Sequence, residues 1–151
     1  MNALPLVSLL LGSVALGSAM PAAPAAPTTE TVTVVVSSLA STSSVVKLNF
    51  YNAPDKFLKS GQMAIRMVVR PDGKSTLSIP VALAPGEWAV AVSQDLNNND
   101  KLDKNFLGIP TEPFAFSNNV KPRLAAPRFE ECKFTVTGPG QVVTINDWND
   151  F

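Results

Sequence analysis

Histidine is absent from this chain of 151 residues. That removes the Ser-His-Asp and Cys-His nucleophile systems and the zinc and iron sites built on imidazole. Acid–base chemistry would fall to carboxylates, lysine, tyrosine or cysteine. Cysteine is nearly absent too: Cys132 stands alone, so no internal disulfide forms. It lies in FEECKFTV, where a strand is expected to begin, beside Glu130 and Glu131. Their charge opposes a thiolate and no imidazole activates it, so Cys132 reads as a small buried hydrophobe. Charge is scarce and balanced, with 12 basic and 12 acidic side chains. No Lys/Arg block stands out, so neither nucleic acid nor an electrostatic membrane anchor is an expected partner.

Long apolar runs are missing except at the start, MNALPLVSLLLGSVALGSAM. The run from Leu4 to Leu16 is followed by small residues at Gly17 and Ala19, and again at Pro21 and Ala23, the pattern of a cleaved secretory signal. No Lys or Arg precedes it. A spanning helix needs about 20 apolar residues, and this run is shorter and carries Pro5, so cleavage is expected rather than anchoring. The division is then a signal peptide at 1–23, a Pro/Ala-rich spacer at 24–30 and one domain at 31–151. The expected location is secreted or periplasmic, with no membrane contact after cleavage.

The domain itself is a series of short strand patterns. TVTVVV alternates on Val32, Val34 and Val36, and VVKLNF on Val46, Leu48 and Phe50, with SSLASTSS between them as a hairpin loop. MAIRMVVR sets Met63, Ile65, Met67 and Val69 on one face. In the turn PDGK, Pro71 is expected at the first corner and Gly73 at a positive φ. TLSIPV alternates on Leu77, Ile79 and Val81, and Pro80 marks an edge strand. EWAVAVS puts Trp88, Val90 and Val92 on one face and small residues on the other, as in a central strand packed on both sides. CKFTVT and QVVTIND close the chain around Gly138-Pro139-Gly140, and only DKFLKS suggests a helical turn. About seven strands of period two predict an all-β sandwich, immunoglobulin-like or transthyretin-like, with a small closed barrel as the alternative.

The stretch DLNNNDKLD, residues 95–103, carries the one clue to chemistry. Calcium takes six to eight oxygens, and alternate side chains of a curled loop supply them. Asp95, Asn97 and Asn99 would give side-chain oxygens, Lys101 its carbonyl, and Asp103 a direct or water-mediated oxygen. Leu102 would tie the loop to the core. An EF-hand is excluded: Asp100 stands where Gly is preferred, Phe106 where a bidentate Glu is required, and a strand precedes the loop. The closing carboxylate would be Glu112. Asn and Asp also fill turns without metal by bonding to nearby backbone, so a Ca²⁺ site and a self-bonded polar turn both remain open.

The block EWAVAVSQDLNNNDKLDKNFLGIPTEPFAFSNN, followed by PRFEECKF, resembles a bacterial family of secreted proteins known as domain of unknown function 2141. The family pattern has a D-E-N-G-N-G-K-L-D loop, then L-G-I-P-x-E-G-Y-G-F-S-N-N and P-x-F-x-x-A-x-F. Matches include Asn97, Asn99, Lys101, Leu102, Asp103, the run Leu107 to Pro110, Glu112, Phe116, Ser117, Asn118 and Asn119. Leu96, Asn98 and Asp100 stand where the family has Glu, Gly and Gly. Pro113 and Ala115 replace two glycines, and Cys132 replaces a small Ala. The resemblance implies a β-sandwich outside the cytoplasm and no known reaction.

Three functions follow for testing. The first is a non-catalytic module that binds or scaffolds at the cell envelope, its loop stabilised by calcium. The second is a carbohydrate- or peptide-binding module built on the 105–128 connection. There Phe114 and Phe116 form an aromatic platform with Asn118 and Asn119 as polar partners, or else the rings plug the end of the core. An envelope glycan or protein would be the partner. The third is a hydrolase using a pair among Asp95, Asp103, Glu112, Glu130 and Glu131, which needs two carboxyls about 5–9.5 Å apart across a cleft.

Overall fold

Period-two alternation of β-branched residues forms the strands, because it gives each a single apolar face to bury. The computed structural model describes residues 26–146, 148 and 149; the expected signal segment, 1–23, lies outside these. The strands are β1 (Glu30–Val36), β2 (Val45–Tyr51), β3 (Ile65–Val69), β4 (Leu77–Leu83), β5 (Gly86–Asp95), β6 (Phe114–Phe116), β7 (Phe134–Val136) and β8 (Gln141–Ile145). One short helix, α1 (Phe129–Cys132), precedes β7, and Ser117–Asn119 form a single 3-10 turn. DKFLKS is a succession of turns rather than helix.

Two separate sheets result. One has the order β4-β1-β8, with β1 and β8 parallel. The other has the order β3-β2-β5-β6, with β7 also paired to β5. No ladder joins the sheets among the described residues, so the fold is an all-β sandwich and not a closed barrel. Valines 32, 34 and 36 of β1 and Leu77 to Leu83 of β4 face Val46, Leu48 and Phe50 of β2 and Trp88, Val90 and Val92 of β5 in one core. Phe50 and Leu48 are wholly buried there. Each such side chain contributes about 1.5–3 kcal/mol by leaving water. Pro80 sits on β4, the sheet edge, where its missing N–H breaks no ladder.

The turns divide differently from the sequence expectation. SSLASTSS is not a hairpin loop, because β1 and β2 lie in opposite sheets. Both flanks of β1 are taken by β4 and β8, so the segment crosses between sheets. The buried Gln94 side chain pins that crossing: its Oε1 accepts from Ser41 N at 3.1 Å and its amide donates to the Ser41 and Ser44 carbonyls. The PDGK turn also links the two sheets. Its bond runs from Lys74 N to the Pro71 carbonyl, with positive φ at both Asp72 and Gly73, so Pro71 precedes the corner residues. The Gly138–Gly140 turn likewise joins β7 to a strand of the other sheet.

Strand β5 is the spine. It pairs with β2 over Ala89–Asp95, with β6 over Ala91–Ser93 and with β7 over Gly86–Trp88. Trp88, Val90 and Val92 enter the main core, while Ala89 packs into a second cluster on the outer face with Tyr51, Phe57, Phe114, Phe116, Phe129 and Cys132. The large-and-small alternation of EWAVAVS therefore reports a strand covered on both faces. Its C-terminal end delivers Asp95 to the polar loop.

Candidate functional site

Asp95 ends β5 and is buried. Its Oδ2 lies 2.6 Å from Lys47 Nζ, itself buried on the neighbouring strand β2. The same carboxylate accepts Asp100 N at 2.7 Å and Asn99 N at 3.1 Å. Burial pushes the Asp95 carboxyl up, but the Lys47 ammonium and the two backbone N–H groups outweigh it and hold the group below its ordinary value. Asp95 thus folds the loop back on the strand that carries it. Asp100 adds a second carboxylate, 3.2 Å from Lys47 Nζ and 2.5 Å from Arg66 Nη2. Those two cations lower its pKa.

Within the loop the amides bond to their neighbours. Asn97 Oδ1 accepts Asn99 N, and Asn99 Oδ1 accepts Lys101 N. Both side-chain amides then donate to the Asp103 carboxylate, Asn99 at 2.9 and 3.0 Å. Glu112 is buried and reaches the loop, as its position suggested. Its Oε1 accepts Leu96 N at 2.9 Å and its Oε2 accepts Asp103 N at 3.2 Å. The carboxylate clamps both ends of the loop through backbone N–H groups. So Asn97, Asn99 and Asp103 meet side chain to side chain, while Asp95 and Glu112 spend their oxygens on backbone and, for Asp95, on Lys47. Among the described residues no three His, Cys, Asp or Glu side chains gather as a metal-ligating group.

Asn98 and Asp100 both take positive φ, 57° and 63°. These are two of the positions where the resembled pattern has Gly. Asn and Asp tolerate this region because their short side chains bond locally. Asn98→Ala should destabilise the domain by about 1 kcal/mol and Asn98→Gly by no more than a few tenths, measured by chemical denaturation.

Phe114 and Phe116 are buried and contact each other edge to face at 5.6 Å between ring centroids. Phe116 also meets Phe57, which meets Phe129. The rings pack as a plug over the outer face of β5, with only a small part of each left exposed. Asn118 and Asn119 are likewise engaged in the fold. Asn118 Nδ2 donates to the Glu131 and Lys133 carbonyls, and Asn119 Oδ1 accepts Asn146 N. Packing of β6 against the turns at 54–63 and against α1 favours the plug over an open aromatic platform, while Phe114 and Phe116 still border the adjoining groove. Glu130 and Glu131 sit on α1, paired to Lys133 and Arg128. Cys132 is fully buried, and burial with the Glu131 charge pushes its thiol up to about 12. Iodoacetamide should therefore leave Cys132 unmodified in the folded protein at pH 8 and label it completely in denaturant, as read by mass spectrometry.

Beside the plug the outer sheet face opens into a groove of about 1060 Å³. Lys47 and Asn49 of β2 and Ala91 and Ser93 of β5 lie along its floor, and segments 100–110 and 122–127 stand as its walls. The wall at 104–110 is held in shape by Asn105, whose Oδ1 accepts Leu107 N and Ile109 N and whose N donates to the Ile109 carbonyl. Small side chains at Ala91 and Ser93 of β5 keep the floor low.

A family model for uncharacterized proteins conserved in bacteria, domain of unknown function 2141, matches residues 34–144. The chain belongs to this family. No curated protein and no solved structure matches it. The matched span runs from β1 to β8, so it takes in both sheets, the 95–112 loop and the groove walls.

Within this family member, two residues of the site gave little sequence signal. Lys47 sits at an outward position of VVKLNF, where an exposed charge is the ordinary reading, and its partner lies 48 positions on at Asp95. Asn49, two residues further, has its Oδ1 buried without a hydrogen-bond partner. Only the packing of distant loops over β2 makes either residue special.

Proposed function

We propose that the protein is a non-catalytic β-sandwich that works outside the cytoplasm as a binding module, with the groove over the five-stranded sheet as its ligand site. One observation carries the reading: the outer face of β5 bears small side chains while two long connections stand up around it, leaving about 1060 Å³. Ligand sites are concave spaces of this size with a few placed polar groups. The disposition of the ionisable groups supports a non-catalytic role. Asp95 is bound to Lys47, Glu112 to two backbone N–H groups, and Glu130 and Glu131 to cations of their own segment. The thiol is buried. The N-terminal apolar run with its small residues supports export. No helix of the described residues is long and apolar enough to cross a membrane.

The test is a glycan and peptide array probed with the wild type and with Ser93→Trp, a substitution that fills the groove from its floor. A ligand held by the wild type and lost in the variant, at unchanged melting temperature, is expected. Equal binding by both proteins would move the site elsewhere.

The loop supports a second reading, a calcium-stabilised wall. Asn97, Asn99 and Asp103 already meet, and a half-turn of each amide would offer carbonyl oxygens in place of N–H groups. The Lys101 carbonyl follows in the same loop. These are fewer than the six to eight oxygens calcium prefers, so binding in the millimolar range is expected. Calorimetric titration with Ca²⁺ should give weak heat and a small rise in melting temperature. No heat and no shift at millimolar calcium would end this reading.

A further inference from the structure

The charge around the groove is uneven. Arg66 and Lys47 border it, but both are held by acids, Asp100 and Asp95. Lys101, Lys104 and Arg123 border it as well, and none of the three makes an ion pair among the described residues. Asp100 is the only acid among the lining residues, and it is spent on Arg66 and Lys47. The groove therefore keeps three uncompensated cations along its walls. Field lines concentrate in a cleft of one sign, which favours an anion in it.

The floor adds a second requirement. Ser93, which lies across the ladder from Lys47, puts a half-buried hydroxyl on the floor. The occupant must then carry hydroxyl or N–H groups in its middle and negative charge toward its edges. An extended peptide that adds a strand does so at a sheet edge, where backbone groups are free. This groove lies on a sheet face, where the ladders of β2 and β5 already use those groups. Apolar side chains of Met63 and Ile109 on the border suit the C–H faces of sugar rings.

Resting on the groove as the ligand site, we infer that its occupant is an acidic glycan, a saccharide chain bearing uronate carboxylates. The carboxylates meet Lys101, Lys104 and Arg123, and a ring hydroxyl meets Ser93 on the floor.

Calorimetric titration at low salt with hexagalacturonate tests this, with maltohexaose and hexaglutamate as comparison ligands. Hexagalacturonate should bind the wild type. The triple variant Lys101→Gln/Lys104→Gln/Arg123→Gln, which breaks no ion pair and should fold normally, should bind about tenfold more weakly. Ser93→Ala should weaken binding while leaving the melting temperature unchanged. No binding of hexagalacturonate, or equal binding by the triple variant, would overturn the inference. Tight binding of maltohexaose, lost in Ser93→Trp, would keep the groove and overturn the acidic ligand. Hexaglutamate binding as tightly with the same variant sensitivity would overturn the glycan.

Discussion

Asp95→Ala should lower the free energy of unfolding by about 3–5 kcal/mol, the largest loss expected from any single change in the loop. The cause is what the substitution leaves behind. Lys47 is buried, and its ammonium lies 2.6 Å from Asp95. Without that carboxylate it keeps only the exposed Asp100 at 3.2 Å. Asn99 N and Asp100 N lose their acceptor as well. The double variant Lys47→Met/Asp95→Ala should recover part of the loss, because it removes the orphaned cation. Urea denaturation of the wild type, Asp95→Ala, Lys47→Met and the double variant gives the coupling energy. A coupling near zero would mean that the pair contributes nothing by being a pair. The pH dependence has a definite sign. The Asp95 carboxyl is depressed in the folded protein, so its contribution is complete above the unfolded value of 3.8. It is lost as pH falls from there through the lower folded value. Wild type should lose stability over that acid window, and Asp95→Ala should lose correspondingly less.

Glu112→Ala comes next, at about 2–4 kcal/mol, because two backbone donors, Leu96 N and Asp103 N, are left without acceptors. Glu112→Gln keeps one carbonyl oxygen and should cost about half as much. The consequence reaches the site: residues 96 and 103 bracket the loop whose continuation forms a groove wall. Amide hydrogen exchange at Leu96 and Asp103 should rise by orders of magnitude in Glu112→Ala, while β1 and β4 stay protected. If calcium rather than the hydrogen bonds held the loop, adding a chelator to the wild type would reproduce the effect of the substitution. With the hydrogen bonds in place, the chelator should change exchange little.

The strands were legible where one face meets the core. Val32, Val34 and Val36, or Leu77, Ile79 and Val81, alternate because β1 and β4 bury a single side. β5 was legible as a two-sided strand because it alternates large with small. Which sheet each strand joins was not legible. A polar stretch such as SSLASTSS serves a hairpin or a crossing equally well, and here the choice rests on Gln94, 53 positions from Ser41. The outer face of β2 was hidden for the same reason: Lys47 is buried and its partner Asp95 lies 48 positions on.

At the candidate site, Glu112 could be singled out because it is the nearest carboxylate downstream of the loop. Its use could not, since a carboxylate that holds two N–H groups and one that closes a metal site have the same sequence. Phe114 and Phe116 illustrate a further limit. Alternate aromatic residues mark one side of a strand, but how far that side is open depends on what packs on it, and here turns at 54–63 and α1 cover most of it while the groove borders the rest. The groove itself left its trace only in the small side chains Ala91 and Ser93.

The most direct measurement is a ¹H–¹⁵N correlation spectrum of the protein titrated with hexagalacturonate. Binding in the groove predicts shifts concentrated at Asn49, Ala91, Ser93, 101–104 and Arg123, with the three-stranded sheet unmoved. Shifts gathered on β4 or β8, or no shifts at all, would contradict the placement of this ligand on the face of the five-stranded sheet.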